Sequence, residues 1–240
     1  LLERMVAAIP PANIQKSRAT PTRTRSTCPA RRSIRSFLDK PVPLETIQRI
    51  LERARMAPSG CNFQPWEATV LTGAPLKALQ DRLTASQPDD PMDYDFSEPG
   101  KHDKYKARLQ AVGAAMYGAM AIARDDGKQR ADFVQSNLVS FGAPVLLLCH
   151  FPKWMKEAQW SDTGMWLQTI MLLCREEGLD TCPQEYMGMY GKTIKDQLGL
   201  GEDVLLFCGL AIGYRDESDS VNGFQRERVP LDEQVTFLGF

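Results

Sequence analysis

The sequence predicts a domain of mixed helices and strands, with a central sheet covered by helices on both faces. Three observations lead there. Apolar residues recur at three- and four-residue spacing over Pro43–Ala57, Lys104–Arg124 and residues 160–178, as in helices with a buried face. Two near-continuous apolar runs, Gly142–His150 and Val204–Tyr214, have the length of buried strands. Helical and strand-like segments alternate along the chain, so helices are available to cover a sheet on both sides.

Taken in order, residues 1–28 show no clear periodicity and mix Pro10, Pro11 and Pro21 with Arg, Ser and Thr. They read as a flexible N-terminal arm, a targeting segment or an artefact, outside a folded domain of residues 29–240. In Pro43–Ala57, Leu44, Ile47, Ile50, Leu51 and Ala54 build one apolar face. Pro58-Ser59-Gly60 ends that helix, because proline disfavours helical geometry in the residue before it. Trp66–Thr72 reads as a strand and Pro75–Ala85 as a short helix. Residues 86–102 form a Pro/Asp/Gly-rich loop of the length that is usually functional or mobile. The long helix over Lys104–Arg124 carries Leu109, Val112, Met116, Met120 and Ala123 on one side. The helix over 160–178 is apolar on most faces, as a central helix is, and Gly178 is placed to stop it. Thr181–Met187 reads as a loop, Gly191–Leu198 as a short helix, and Val229–Phe240 as an extended tail with Val235, Phe237 and Leu238 apolar.

Composition excludes several classes. With 240 residues, 43% hydrophobic and 25% charged, the chain suits one large domain with a buried core rather than a disordered chain. No apolar run approaches the roughly 18 residues of a membrane span. The net charge of −1 conceals an asymmetry, since residues 1–36 hold eight bases against Glu3 alone. A basic head suits nucleic acid or an acidic membrane, but no aromatics interleave with these bases, so a solvated arm is expected, with neither partner. The six cysteines form no Cys-x-x-Cys pair, and no Cys/His cluster has zinc spacing, which disfavours a metal or cysteine enzyme. Without disulfide spacing or a typical signal peptide, a cytoplasmic location is the expectation.

Four constellations carry polar chemistry. Arg31-Arg32-Ser33-Ile34-Arg35 puts three guanidiniums and a hydroxyl just before the first clear helix, and guanidiniums present bidentate donors suited to phosphate. The stiff turn Ala57-Pro58-Ser59-Gly60-Cys61-Asn62-Phe63-Gln64-Pro65-Trp66 is dense in amides and hydroxyls. Gly178-Leu-Asp-Thr-Cys-Pro-Gln-Glu-Tyr186 follows a buried helix directly. Arg226-Glu227-Arg228-Val229-Pro230 places two arginines two residues apart, hence on one side of an extended segment. Taken singly, each is also what a solvated turn, connection or charge pair looks like.

Together, their order and spacing resemble the nitroreductase family of flavin enzymes, over about residues 31–240. Arg-Arg-Ser-Ile-Arg-x-Phe and Ala-Pro-Ser-Gly-x-Asn-x-Gln-Pro-Trp carry most of the likeness, and Gly-Leu-x-Thr-Cys-Pro-Gln and Arg-x-Arg-x-Pro agree with it. Ser140-Phe141-Gly142-Ala143-Pro144 and Asp162-Thr-Gly-Met-Trp-Leu-Gln168 are similar to patterns of the subgroup that includes nitrobenzoate reductases.

The resemblance implies an α+β nitroreductase-like fold with a central mixed sheet covered by helices, in an intertwined homodimer whose C-terminal segments exchange strands. It implies FMN as cofactor and NADH or NADPH as reductant. Arg31, Ser33 and Arg35 would match the flavin contacts, Arg31 mainly at the phosphate end and Arg35 at the ring, with Arg32 contributing mostly through its backbone. Arg226 and Arg228 would match the C-terminal phosphate clamp. Pro58, Ser59 and Asn62 would reach the flavin of the other subunit. Pro183, Gln184 and Glu185 would lie alongside the isoalloxazine, and Asn137 would face its pyrimidine edge. No protein nucleophile or catalytic side chain is expected, because the flavin carries the chemistry. The activity implied is two-electron, ping-pong reduction of a small aromatic acceptor, a nitroaromatic or a related quinone or enone. The alternatives are reductive dehalogenation, ene reduction or flavin destruction on the same fold, or a flavin-binding module without turnover.

Overall fold

A computed structural model describes residues 30–239. Its centre is a four-stranded sheet in the order β1-β2-β4-β3, with β1 at Glu67–Thr72, β2 at Val145–Pro152, β3 at Asp180–Gln184 and β4 at Val204–Gly213. All four strands pair antiparallel. The parallel component of the expected mixed sheet is the bridge between Ser33 and Thr181 at the outer side of β3. The two strands legible as apolar runs are the inner ones, which is why they lack a polar face.

Alternate residues of β2 feed opposite layers. Val145, Leu147 and Cys149 pack with Ile47, Ile50 and Ala54 of α1 (Leu44–Ala54) and with Trp166, Ile170 and Cys174 of α5 (Glu157–Glu176). Leu146 and Leu148 pack on the other face, against Leu76, Leu79 and Leu83 of α2 (Gly73–Thr84) and Ile194 of α6 (Gly191–Leu198). Each such fully buried leucine or isoleucine contributes about 1.5–3 kcal/mol from leaving water. Cys149 faces Cys208 whereas His150 faces Leu206, so Phe207 is the extra residue of a β-bulge. The bulge lets Leu206 and Cys208 serve opposite layers although they are two residues apart.

The long helix expected over Lys104–Arg124 is α3 (Asp103–Ala119), and the chain breaks at Ala121, where φ is 55°. A further helix, α4 (Gly127–Gln135), follows and was not expected. Its start is written in Asp126, whose carboxylate accepts from Gln129 N–H at 2.9 Å as an N-cap. The helix over 160–178 ends as expected, with Gly178 at φ 77°. Thr181–Met187, expected as a loop, is corrected: Asp180–Gln184 is strand β3. Pro183 hid it, because proline is tolerated in a sheet only where its missing N–H is not needed, and β3 is an edge strand. Among its described residues the tail, expected as extended, has no strand, only a short 3₁₀ turn at Leu231–Glu233. No described helix is long and apolar enough to cross a membrane. Residues 1–28, including the basic arm, lie outside the described residues.

Candidate functional site

The N-terminal motif runs extended along the open side of β3. Ile34 N–H donates to Thr181 O at 3.0 Å, and the Ile34 side chain is fully buried among Phe37, Phe141, Cys182 and Ala211. Arg31, Ser33 and Arg35, at alternate positions, gather around the Cys182 thiol. Burial pushes that thiol up to about 11, against the opposing pull of Arg35, Arg31 and a hydrogen bond with Ser33, so it stays protonated at neutral pH. Asn222 fixes the backbone of the motif. Its Oδ1 accepts from Arg35 N–H at 2.9 Å, and its Nδ2 donates to Ser36 O and Asp216 O, both at 2.8 Å.

The C-terminal segment interlocks with this motif. The Arg32 guanidinium donates to Phe224 O and lies over the Phe224 ring, 5.3 Å from its centroid. Arg226 donates in return to Arg31 O. The Arg32 side chain is thus engaged by the C-terminal segment.

The result is a concentration of positive charge. Arg32 is held below the usual guanidinium range by burial, then by repulsion from Arg215 and Arg35. Arg226 is lowered by burial, then by Arg32, Arg228, Arg31 and Arg215. Asp180 sits behind this group, 2% exposed, with Arg215 bound bidentate at 2.6 and 2.8 Å and Arg175 at 2.7 Å. Its carboxylate holds Arg215 above the usual range, chiefly through that hydrogen bond. Asp180 pairs with both Arg175 and Arg215, and with Arg31, Arg32, Arg35, Arg226 and Arg228 nearby the positive charge still exceeds the negative, which favours an anion. Beside them, a cavity of ≈ 920 Å³ opens between α3 and the Phe224–Pro230 segment, lined by Arg226 and Arg228 on one side and Val112 and Ala115 on the other.

The remaining expected residues fall into two groups. Pro183, Gln184 and Glu185 close β3 beside the arginines, with Pro183 and Glu185 exposed. The Gln184 side chain is buried instead and donates to Asn137 O at 2.8 Å and Asn137 Oδ1 at 3.3 Å. Asn137 in turn donates to Val134 O at 2.8 Å, so this pair ties β3 to the segment before β2. Pro58, Ser59 and Asn62 lie on the turn between α1 and β1, which is held by α5 rather than by the arginines. Gly60 N–H donates to Asp162, and Ser59 Oγ accepts from Gln64 N–H at 2.9 Å. Asn222, Arg215 and Asp180 belong to the site although no sequence motif marks them. Arg215, at the foot of the apolar β4 run, and Asp180, within the Gly178–Tyr186 constellation, were the available signals.

The nitroreductase family model matches residues 29–214. The chain is similar to the 4-nitrobenzoate reductase of Pseudomonas putida, 36% identical over 214 residues, which cover 88% of this chain and 93% of that one. It is similar to the crystal structure of the FMN and NADPH-dependent nitroreductase NfnB from sphigopyxis sp. strain HMH, with 44% identity, a TM-score of 0.87, and coverage of 91% of this chain and 100% of that one. The FMN-dependent NfnB from Mycobacterium smegmatis, in complex with NADPH, has 29% identity, a TM-score of 0.85 and coverage of 90% and 97%. With most of its length matched at this identity, the chain belongs to the nitroreductase family.

Proposed function

We propose that the chain is an FMN-dependent NAD(P)H oxidoreductase that reduces nitroaromatic acceptors. The observation that carries this reading is the interlock of Arg32 with Phe224 and of Arg226 with Arg31, which concentrates guanidiniums from both ends of the chain beside β3. The fit to FMN is chemical. Burial and then repulsion from neighbouring guanidiniums disfavour the charged forms of Arg32 and Arg226, and a phosphate among them would relieve that cost. Bound FMN would supply the two-electron exchange between nicotinamide and acceptor.

The chain's own part is to bind and orient. Arg31, Arg226 and Arg228 would hold the phosphate, and Arg32 would hold the C-terminal segment in place for them. Arg35 would sit toward the ring, where its charge favours a more negative bound ligand. The exposed edge Pro183–Glu185 would flank the ring, while Gln184 and Asn137 keep that edge in place.

The same reading includes a homodimer. Helix α3 buries none of its residues within the chain, and Leu109 is 55% and Val112 45% exposed. Phe237 and Leu238 of the tail are 62% and 82% exposed. Such apolar surface needs a cover, and a second copy offers it, with the turn Pro58–Asn62 reaching the partner's flavin and the tail crossing the seam. A cytoplasmic location suits the five described free thiols, among them Cys149 and Cys208 on facing strand positions.

Anaerobic titration of the FMN-loaded protein tests the activity. NADPH or NADH should bleach the visible flavin absorbance, and 4-nitrobenzoate should restore it. Flavin that never bleaches would overturn the reading. Restoration by a quinone, enone or halophenol but not by any nitroaromatic would replace the acceptor class.

A further inference from the structure

We infer that Asp162 and Trp166 are positioning residues that clamp the turn Pro58–Trp66 at two points. The inference rests on the proposed use of that turn at a flavin site and adds what holds the turn in shape. The turn is unfavourable in isolation. Cys61, Asn62 and Gln64 have φ of 49°, 57° and 48°, the left-handed region that side chains with a Cβ avoid. Three non-glycine residues in four positions adopt it only where the surroundings determine it.

Two contacts to one face of α5 supply that determination. Asp162, 4% exposed, takes the Gly60 N–H between its two oxygens, at 3.2 Å to each. Four residues later, hence one helical turn along the same face, Trp166 stacks on Trp66 with centroids 5.7 Å apart and planes 5° from parallel. The first contact fixes the start of the turn and the second its exit into β1. Between them, Ser59 Oγ accepts from Gln64 N–H at 2.9 Å, and Gln64 Nε2 donates to Asn62 O at 3.0 Å. The exposed Asn62 is thereby presented from a framed loop, and the frame is set by Asp162 and Trp166.

The test compares Asp162→Ala, Asp162→Asn and Trp166→Leu with wild type by two readouts. Amide hydrogen exchange of the FMN-free protein follows residues 59–66. FMN titration and the visible circular dichroism of the loaded protein follow the site. Asp162→Ala should speed exchange in the turn at least about tenfold with β2 unaffected, raise the FMN Kd about tenfold, or about 1.4 kcal/mol, and change the flavin dichroism. Asp162→Asn should restore both readouts to within about threefold, because its amide oxygen still accepts from Gly60. If Asp162→Ala does not fold, Trp166→Leu carries the test, with Trp166→Phe as its rescue. Wild-type exchange in Asp162→Ala, or no rescue by Asn, overturns the clamp. Faster exchange with unchanged FMN affinity and dichroism overturns its service to the site. If wild type itself binds no FMN, the proposed function fails, and the exchange readout alone still decides the clamp.

Discussion

Replacing Asn222 should reveal whether the arginine motif is held by a single buried amide. Asn222 is 5% exposed and makes three hydrogen bonds, accepting from Arg35 N–H and donating to Ser36 O and Asp216 O. Asn222→Ala removes all three, at about 1 kcal/mol each. Ser36 O keeps a second donor, Asp216 N–H at 3.1 Å, so its desolvation adds little. The expected loss is therefore about 3 kcal/mol, equivalent to about 6–12 °C in Tm for a domain of this size. Asn222→Asp is the sharper perturbation. Its carboxylate still accepts from Arg35 but turns oxygen toward two carbonyl oxygens, so at neutral pH it should lose at least as much as Ala. Protonation would restore a donor, which raises the folded-state pKa of that carboxyl. Its stability should accordingly recover as pH falls and decline as pH rises through the folded value. Urea unfolding of the FMN-free protein at fixed concentration reads this, with the m-value unchanged. An Asp variant as stable as wild type at pH 7, or an Ala variant within about 0.5 kcal/mol of it, would refute the assignment.

Gly188→Ala should cost about 1–3 kcal/mol, because a Cβ there would meet the Tyr94 hydroxyl at 2.5 Å, and Tyr94 is tied to Phe207 O at 2.8 Å. Urea unfolding should show a smaller loss in a Tyr94→Phe background, and strict additivity would contradict the clash. Burial lowers the pKa of His150 from 6.5, with Glu67 opposing, so the stability of the neutral form is present above pH 6.5 and lost as pH falls below it. Thermal unfolding at pH 7.5 and 5.5 should therefore show a larger acid loss in wild type than in His150→Gln, and equal losses would count against it. Asp180→Ala leaves Arg175 and Arg215 facing one another without their carboxylate and should cost about 3–5 kcal/mol by chemical unfolding. A loss near zero would show that solvent already screens them.

Much of this was legible in the sequence because it follows from local rules. The inner strands are apolar on both faces, and Gly178 and Gly199 stop α5 and α6 at left-handed positions. What escaped had identifiable causes. Strand β3 is five residues long with a proline inside, so its pairing is a tertiary fact that periodicity cannot reveal. Helix α4 is polar through most of its length and announces itself only by its cap at Asp126. At the site, the arginines stood out by residue type, but Asn222 and Asp180 did not. An asparagine joining Arg35 to Asp216, and an aspartate joining Arg175 to Arg215, become visible only once distant segments are folded together. The loop 86–102, read only as functional or mobile, is pinned over its first half by Asp89 on Thr193 and Asp93 between Lys153 and Lys195.

The most direct measurement compares FMN with riboflavin, which lacks the phosphate, on wild type and on Arg226→Ala/Arg228→Ala. Arg226 and Arg228, at about 1.5–3 kcal/mol each, should contribute about 10²–10⁴-fold to the wild-type preference for FMN, beyond what Arg31 adds. In the double variant that contribution should be lost, leaving the roughly 10–150-fold preference that Arg31 alone supports, while riboflavin affinity stays nearly unchanged. If the variant retains the full preference for FMN, the phosphate is held elsewhere and the convergence of the two chain ends serves another purpose.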